Sequence, residues 1–229
     1  MQYVQRQDGI HSVLNGVGEM EKMKYRDLLR FALNKKNRGS LVNHNFSVIS
    51  SNCVGGVMLH ELGLRFNTPT VNLWFSAADY LKFISNLEDY LLKELIEENS
   101  SKPYPVGRLG DILINFTHYK SFEEAYQKWN ERKKRINKDN LFFIMTQTDD
   151  CTDEMVHEFG KIPVQNKVIF TAREFPDVPC AVYLRGTDID NNSIIDLCQY
   201  KSRFTGRRYL DDFDYVAFFN RTLILDKEK

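Results

Sequence analysis

Short runs of apolar and β-branched residues alternate along the chain with segments in which apolar residues recur every three or four positions. The first pattern predicts strands and the second predicts amphipathic helices. Their alternation favours an α/β fold, which we expect to be a three-layer α/β/α sandwich with a mixed, mostly parallel central sheet. The last third of the chain is expected to add antiparallel strands. The predicted strands are Phe46–Ile49, Thr70–Phe75, Asp111–Thr117, Leu141–Thr146, Lys167–Thr171 and Cys180–Leu184.

Helix starts and ends are marked by capping residues and glycines. The leading helix is expected to bury the face that carries Tyr25, Leu28, Leu29, Ala32 and Leu33. The predicted helices are Met20–Asn37, a segment from Cys53 that Gly63 ends, the longest one from Ser76 to about Glu98, one capped by Ser121 and Glu124 that ends near Arg132–Arg135, and a short one from Thr152 to Phe159.

Length and composition indicate one α/β domain at residues 41–229, preceded at residues 1–40 by an arm and a leading helix that pack on it. With 42% apolar residues the chain can bury a core without metals or disulfides. The 31 basic and 31 acidic residues balance, so no overall field favours nucleic acid or an anionic membrane. Membrane association would therefore require a partner or a surface patch.

The cysteines are widely spaced, and none belongs to a C-x-x-C motif or a zinc-finger cluster. The amino terminus lacks the apolar core of a secretory leader, and no window reaches the length of a membrane span. We therefore expect a cytoplasmic protein with reduced thiols, no nucleic-acid partner and no transmembrane segment. The four cysteines are Cys53, Cys151, Cys180 and Cys198.

The segment Phe46–Leu64 contains the strongest indication of a site. A strand, the turn Ser50–Cys53 and a helix follow one another, and this order places Cys53 where backbone N–H groups and the helix dipole favour negative charge. A thiol there could have a lowered pKa and act as a nucleophile, with backbone N–H groups at residues 53–56 stabilising an oxyanion. Gly55 and Gly56 could let a ligand approach closely. The alternatives are a small buried residue that fills space and a thiol that only shapes a binding site.

Ligands of such sheets bind beyond the carboxyl ends of the parallel strands. Polar residues follow several predicted strands at that edge, although polar loops alone would produce part of this pattern. His118 is the preferred base for Cys53. His60 lies two helical turns from Cys53, which is too far for a direct hydrogen bond, and His157 is expected to be a solvated helix residue. The candidate catalytic residues are Cys53, His118, Asp149 and Asp150, and the candidate ligand-binding residues are Ser51, Asn52, Gly55, Gly56, Asn72 and Thr117.

The acidic residues allow two interpretations. Asp149 and Asp150 could orient His118 or bind a divalent cation, but they could also simply cap a helix. Asp188 and Asp190 form a D-x-D pattern that many sugar-nucleotide transferases use for a metal, but in an asparagine-rich loop this short pattern is weak and a turn is the favoured interpretation. The chain has no phosphate-binding glycine motif and no G-x-S-x-G elbow, and it identifies neither a cofactor nor a dedicated metal site.

Several blocks in the same order resemble a bacterial domain-of-unknown-function family found among exopolysaccharide and capsule biosynthesis proteins. They include FSVISSNCVGGVMLHELGLRFNTPTVNLWFS, LFFIMTQTDDCT and FDYVAFFN, and the resemblance extends from about Leu41 to Asn220. It implies a three-layer α/β/α domain with a mixed sheet and a role in cell-surface polysaccharide assembly, and it assigns no catalytic residue. Val54 departs from the aromatic residue expected after the cysteine.

Three functions are consistent with these features. The first is a transferase that moves an acyl or similar group onto a polysaccharide precursor through Cys53 and His118. The second is a metal-dependent sugar-nucleotide glycosyltransferase. The third is a non-catalytic glycan-binding or scaffold protein of the assembly machinery. In each case the expected partner is a carbohydrate or an activated sugar, and the assembly machinery is a further expected partner.

Overall fold

A computed structural model describes residues 25–190, 192–202 and 204–223. Its strands form two separate sheets, one of four strands and one of three. In chain order the described strands are β1 (Ser47–Ser50), β2 (Leu95–Glu98), β3 (Val106–Leu109), β4 (Ile112–Asn115), β5 (Leu141–Thr146), β6 (Asn166–Thr171) and β7 (Ala181–Tyr183).

Most of the described helices begin at a polar residue that accepts a backbone hydrogen bond. Ser76, Ser121 and Thr152 each accept one through the side-chain hydroxyl, as their sequence positions predict. The described helices are α1 (Tyr25–Ser40), α2 (Cys53–Glu61), α3 (Ala77–Ser85), α4 (Leu87–Leu92), α5 (Phe122–Lys133), α6 (Asp153–Lys161) and α7 (Tyr215–Phe219), and one turn of 3-10 helix covers Tyr209–Asp212.

The four-stranded sheet is entirely parallel and has the order β1-β5-β6-β7. The expectation of antiparallel strands in the last third is wrong, because β7 pairs with β6 in parallel, with Thr171 opposite Tyr183. The connection 172–180 carries the chain back to the starting edge of the sheet before β7 begins. All four carboxyl ends therefore lie at one edge.

The second sheet is antiparallel, with the order β2-β3-β4. The predicted strand Asp111–Thr117 corresponds to β4 and lies here rather than in the parallel sheet. The predicted strand Thr70–Phe75 is an extended loop that makes a single bridge, between Trp74 and Asn115. The predicted long helix is interrupted at Asn86, whose backbone angles are non-helical, and forms α3 and α4 instead. It ends at Leu92, because Leu95 pairs with Leu109 in the antiparallel sheet.

Alternate residues of the parallel sheet enter two different cores, as a sheet covered on both faces requires. Ile49, Phe143 and Ile169 pack with α3, α4, α5, α6 and the antiparallel sheet. Val48 and Phe142, from the same strands, pack with α2 and α7 on the other face. The predicted α/β fold with three layers is confirmed.

Helix α1 packs only in part as predicted. Arg30 is its buried residue, Leu29 and Leu33 of the predicted face are half-buried, and Tyr25, Leu28 and Ala32 of that face are exposed. The predicted residues 20–24 lie outside the described residues. Because an apolar face normally turns to the core, some specific polar interaction must hold Arg30 inward.

A buried cluster of charged side chains provides that interaction. Arg30 contacts Glu61 of α2 at 3.0 Å and Asp211 at 2.5 Å, and Arg208 contacts the same Glu61 oxygen at 3.1 Å. Asn34 of α1 donates to the other Glu61 oxygen. The side chains of Glu61 and Asp211 are at most 4% exposed, so these charges depend on one another for their stability.

The cluster also sets the protonation of its members. Burial alone would raise the pKa of Glu61, but Arg30, Arg208 and the amide of Asn34 outweigh it and lower that pKa. Burial would lower the pKa of Arg30, and Glu61 and Asp211 outweigh it and raise that pKa. Arg30 and Glu61 therefore both stay charged at neutral pH.

The low pKa of Glu61 predicts a loss of stability in acid. A carboxylate with a folded-state pKa below its ordinary 4.5 contributes stability that is complete above 4.5 and is lost as the pH falls through the folded value. We expect Glu61→Gln to lower the free energy of unfolding at pH 7 by about 3–5 kcal/mol, because Arg30 and Arg208 lose their buried counter-ion. Urea denaturation at pH 7, 5 and 4 measures both effects.

The exposed Glu88, which pairs with Lys138 at the surface, supplies the matched control. Glu88→Gln should change the free energy of unfolding by less than about 1 kcal/mol. Equal effects of the two substitutions, or a Glu61→Gln protein with the acid sensitivity of the wild type, would contradict this account of α1 attachment.

Candidate active site

The predicted strand, turn and helix around Cys53 are confirmed as β1, the turn at Ser51 and α2. Asn52 caps the helix, since its Oδ1 accepts from Val54 N at 3.1 Å. Its Nδ2 donates to Thr146 Oγ1 at 2.5 Å, at the end of β5. Asn52 therefore ties the carboxyl ends of two neighbouring strands together, and both functional groups of its amide have a partner.

Ser51 is buried and serves the same junction. Its N donates to Ile144 O at 2.9 Å, its O accepts from Phe75 N at 2.9 Å, and its Oγ accepts from Thr146 N at 3.3 Å. These bonds connect β1, β5 and the loop before α3. Ser51 thus positions the edge of the sheet. Its N–H, carbonyl oxygen and hydroxyl oxygen all take part in hydrogen bonds within the protein.

The two glycines of α2 face the protein interior rather than a ligand. A Cβ added at Gly55 would lie 2.7 Å from Ser50 Cβ and 2.8 Å from Val48 Cγ1, so this glycine lets α2 pack directly on β1. A Cβ at Gly56 would meet Val71 Cγ1 at an ordinary 3.5 Å. The expectation that the glycines admit a ligand is therefore not supported by their surroundings.

Two N–H groups of the expected oxyanion site are also engaged. Val54 N donates to Asn52 Oδ1, and Gly55 N donates to Ser50 Oγ at 3.2 Å. An oxyanion at this helix start would have to displace these bonds.

Cys53 is half-buried, and its Sγ lies 4.0 Å from the carbonyl oxygen of Leu73. Burial, with a smaller contribution from the carboxylate of Asp196, raises the pKa of the Cys53 thiol to about 12. This is the opposite of the lowered pKa that the helix start alone suggests, and the thiol is neutral at pH 7.

The loop at residues 71–73 joins Cys53 to the predicted residues that follow β4. Asn72 accepts a hydrogen bond from His118 N at 3.4 Å through its backbone oxygen. Tyr119 donates its hydroxyl to Val71 O at 3.0 Å. The structure therefore brings Thr117 and His118 beside Asn72, on the loop that contacts Cys53, although residues 117 and 118 follow a strand of the antiparallel sheet and not a parallel strand.

Asn72 has a left-handed backbone, with φ of 63°. This region costs roughly 1–2 kcal/mol for a residue with a Cβ, and asparagine tolerates it better than most. Among the described residues, the half-buried side-chain amide of Asn72 makes no hydrogen bond. A strained residue with a spare amide at the edge of a sheet is a candidate ligand contact.

His118 is exposed, and in the described part of the chain no hydrogen bond joins its ring to Cys53. Asp150 does not orient it. Asp150 Oδ2 accepts from Ala77 N at 2.7 Å and Oδ1 accepts from Thr148 Oγ1 at 2.7 Å, so this carboxylate caps α3. Asp149 is exposed at the same turn. Asp150 thus has the capping role that was one of the two interpretations of this pair. The helix that it caps is α3, and not α6, which follows it in the sequence.

The other polar candidates form hydrogen bonds with nearby residues of the chain. His157 accepts or donates through both ring nitrogens, to Asp153 O and to Asp177, each at 2.7 Å. Asp188 accepts from the Tyr183 hydroxyl, and Asp190 accepts from Asn192 N and Ser193 N, which makes the D-x-D pattern a turn. Within residues 25–190, 192–202 and 204–223, no group of three or more His, Cys, Asp or Glu side chains is arranged to bind a metal.

Sequence reasoning missed three residues that are electrostatically coupled to Cys53. Burial is the main cause of the raised pKa values of Cys53, Cys198 and Tyr119. The carboxylate of Asp196 adds to the rise at Cys53, and the charge of a Cys53 thiolate would add to the rise at Cys198 and Tyr119. Asp196 and Cys198 reach Cys53 because the chain after β7 folds back over the sheet edge, where Ile194 N donates to Gln147 O at 3.2 Å. No motif or spacing marks this return.

A family model described as "Domain of unknown function (DUF1919)" matches residues 24–220. The chain belongs to the DUF1919 family. The resemblance to a domain-of-unknown-function family is thereby confirmed, and the link to exopolysaccharide or capsule biosynthesis stays a prediction. A relative from Haemophilus influenzae, described as "Uncharacterized protein", is 41% identical over 191 residues, which cover 83% of this chain and 92% of the relative.

This DUF1919 protein contains, in its described part, no helix with the length and apolar character needed to cross a bilayer. The expected cytoplasmic location stays a prediction.

The contact distances around Gly55 predict a strong response to one added methyl group. Gly55→Ala should lower the free energy of unfolding by about 1–3 kcal/mol, because the new Cβ overlaps Ser50 and Val48 on the adjacent strand. Gly56→Ala is the matched control in the same helix. It should be neutral or stabilise by up to about 1 kcal/mol, since alanine favours helix and its Cβ has room. Urea denaturation of both variants gives the comparison, and equal destabilisation would contradict the direct packing of α2 on β1.

The raised pKa of Cys53 predicts slow alkylation. Because the thiolate is the reactive form, iodoacetamide should modify Cys53 of the native protein at pH 8 at least roughly tenfold more slowly than the same residue in the urea-denatured chain. The rate should keep rising beyond pH 9. Peptide mass spectrometry after timed quenching measures it, and a native rate that levels off below pH 9 would show that the thiol is activated.

Proposed function

We propose that this DUF1919 protein acts in exopolysaccharide or capsule biosynthesis by binding a carbohydrate or an activated sugar at the carboxyl edge of its parallel sheet. The observation that carries the proposal is the meeting of three separate segments at this edge: the start of α2 with Cys53, the loop at residues 71–73, and residues 117–119. Ligands of parallel sheets bind at such edges.

The side chains offered at this edge suit a neutral polar ligand. The amide of Asn72 can donate and accept, the Thr117 hydroxyl can do the same, and the exposed His118 ring adds a third polar contact. Sugar hydroxyls need this mixture of donors and acceptors. Asn72 has a left-handed conformation that glycine would adopt at lower cost. A purely structural role of the loop does not account for an asparagine at this position.

A transferase that works through Cys53 is the second candidate, and the position of the thiol at the same edge favours it. In that reaction His118 would take the thiol proton while the sulfur attacks an acyl carbonyl, and the departing group would receive that proton and leave an acyl thioester on Cys53. A hydroxyl of the polysaccharide precursor would then attack the thioester, and its proton would pass through His118 to the sulfur, which restores the thiol. The pKa of about 12 requires proton removal to accompany the attack, since no thiolate is present beforehand. The binding function does not need this step and is therefore the first choice.

The metal-dependent glycosyltransferase has less support. Its D-x-D candidate, Asp188 and Asp190, is engaged in local hydrogen bonds, and the described residues contain no arranged set of metal ligands.

Substitutions of Asn72 separate its backbone conformation from its side-chain amide. Asn72→Gly should stabilise the free protein or leave it unchanged, and Asn72→Ala should destabilise it by about 1 kcal/mol. Both should abolish ligand-induced thermal stabilisation, because both lack the amide. The assay is thermal unfolding with a panel of nucleotide-sugars and capsular oligosaccharides, with and without manganese.

Polysaccharide analysis of cells distinguishes the two candidate functions. A strain in which the gene is replaced by Cys53→Ala should produce normal polymer if the protein only binds, and polymer that lacks a substituent if it transfers one through the thiol. Normal polymer from a deletion strain, together with no thermal shift by any member of the panel, would overturn the proposal.

A further inference from the structure

The exposed face of α1 is apolar over its first two turns. Tyr25 is 67% exposed, Leu28 46% and Phe31 59%. Their spacing of three residues places them along one side of the helix. Arg30, Asn34 and Asn37 make the polar contacts on the other side, to Glu61, Asp211 and Tyr215. Polar side chains therefore attach α1 to the protein, together with the half-buried Leu29 and Leu33, and Tyr25, Leu28 and Phe31 are left on its outer side.

The size of this apolar surface argues against a second copy of the chain as its occupant. The three side chains expose on the order of 350 Å² together, whereas a stable interface buries roughly 800 Å² on each partner. A patch of this size on a monomer is often functional. A lipid surface can accept it, because insertion of a few side chains needs no shape complementarity.

The charges next to the patch indicate which surface it fits. Lys35 and Lys36 follow on the same helix, both exposed, and neither forms an ion pair with a described carboxylate. Lys36 also borders a cleft that contains Asp212 and Asp214, whereas Lys35 is not among the residues that line it. An apolar stripe followed by cations is typical of helices that lie in the headgroup region of anionic membranes. Tyrosine and phenylalanine also suit the headgroup region, because it lies between water and the apolar acyl chains.

We propose that α1 is a peripheral docking surface for an anionic lipid bilayer. Tyr25, Leu28 and Phe31 insert at the boundary between headgroups and acyl chains, and Lys35 and Lys36 face the lipid phosphates. The buried contacts of Arg30 keep the helix attached to the domain, so the protein docks without unfolding α1. This proposal is independent of the function proposed for the sheet edge.

Co-sedimentation of the full chain with lipid vesicles tests it. The protein should bind vesicles that contain phosphatidylglycerol and should bind pure phosphatidylcholine vesicles at least roughly tenfold less. Leu28→Ser combined with Phe31→Ser should weaken binding at least roughly tenfold by removing inserted apolar surface. Lys35→Glu combined with Lys36→Glu should remove the preference for phosphatidylglycerol and its sensitivity to salt.

Leu92→Ser is the matched control, because Leu92 is 85% exposed on a different helix. It should bind as the wild type does. Thermal unfolding confirms that each variant is folded, and the exposed positions make a large loss of stability unexpected. The proposal would be overturned if the wild-type protein bound neither vesicle type, or if the variant with Leu28→Ser and Phe31→Ser bound as the wild type does. A wild-type dimer in solution that this variant converts to a monomer would also overturn it, since a second copy would then occupy the patch.

Discussion

The structure depends on the hydrogen bonds of Ser51 at the junction of β1 and α2. Ser51 forms hydrogen bonds to β5 through its backbone N–H and its side-chain oxygen, and to the loop before α3 through its carbonyl oxygen. Asn52 repeats the connection to β5 while it caps α2. Because Ser51 is buried, breaking any of its bonds would leave a polar atom without water. The edge at which Cys53 and Asn72 lie is therefore rigid at its base.

The features that the sequence predicts correctly are those with local causes. The hydroxyls of Ser76, Ser121 and Thr152 cap helices through bonds to residues three positions on, so the signal and its effect lie within one turn. The turn from β1 into α2 is equally local. β2 and β3 were missed because each is short and gains its stability from a partner strand, and the spacing of Leu91 and Leu95 also fits a helix.

The candidate site shows the same division. Cys53, Asn72, Thr117 and His118 were placed at one edge by reasoning about strand ends, and the structure brings their segments together, although residues 117 and 118 follow an antiparallel strand. The protonation of Cys53 could not be predicted in this way. It depends on burial and on Asp196, which comes from a part of the chain that is remote in sequence and carries no recognisable motif. A helix start favours a thiolate only where solvent or a cation can support the charge, and at this helix start the surroundings are apolar and acidic.

The buried charge cluster connects the two surfaces for which functions are proposed. Glu61 holds α1 through Arg30 and holds the chain after β7 through Arg208, whose guanidinium also donates to Cys198 O. Cys198 and Asp196 lie on that returning chain and contribute to the environment of Cys53. A carboxylate at the end of α2 thus helps to keep the thiol at its start neutral, and it also determines which face of α1 meets solvent. An apolar residue at position 61 could not do both, because Arg30 and Arg208 would lose the one acceptor that they share.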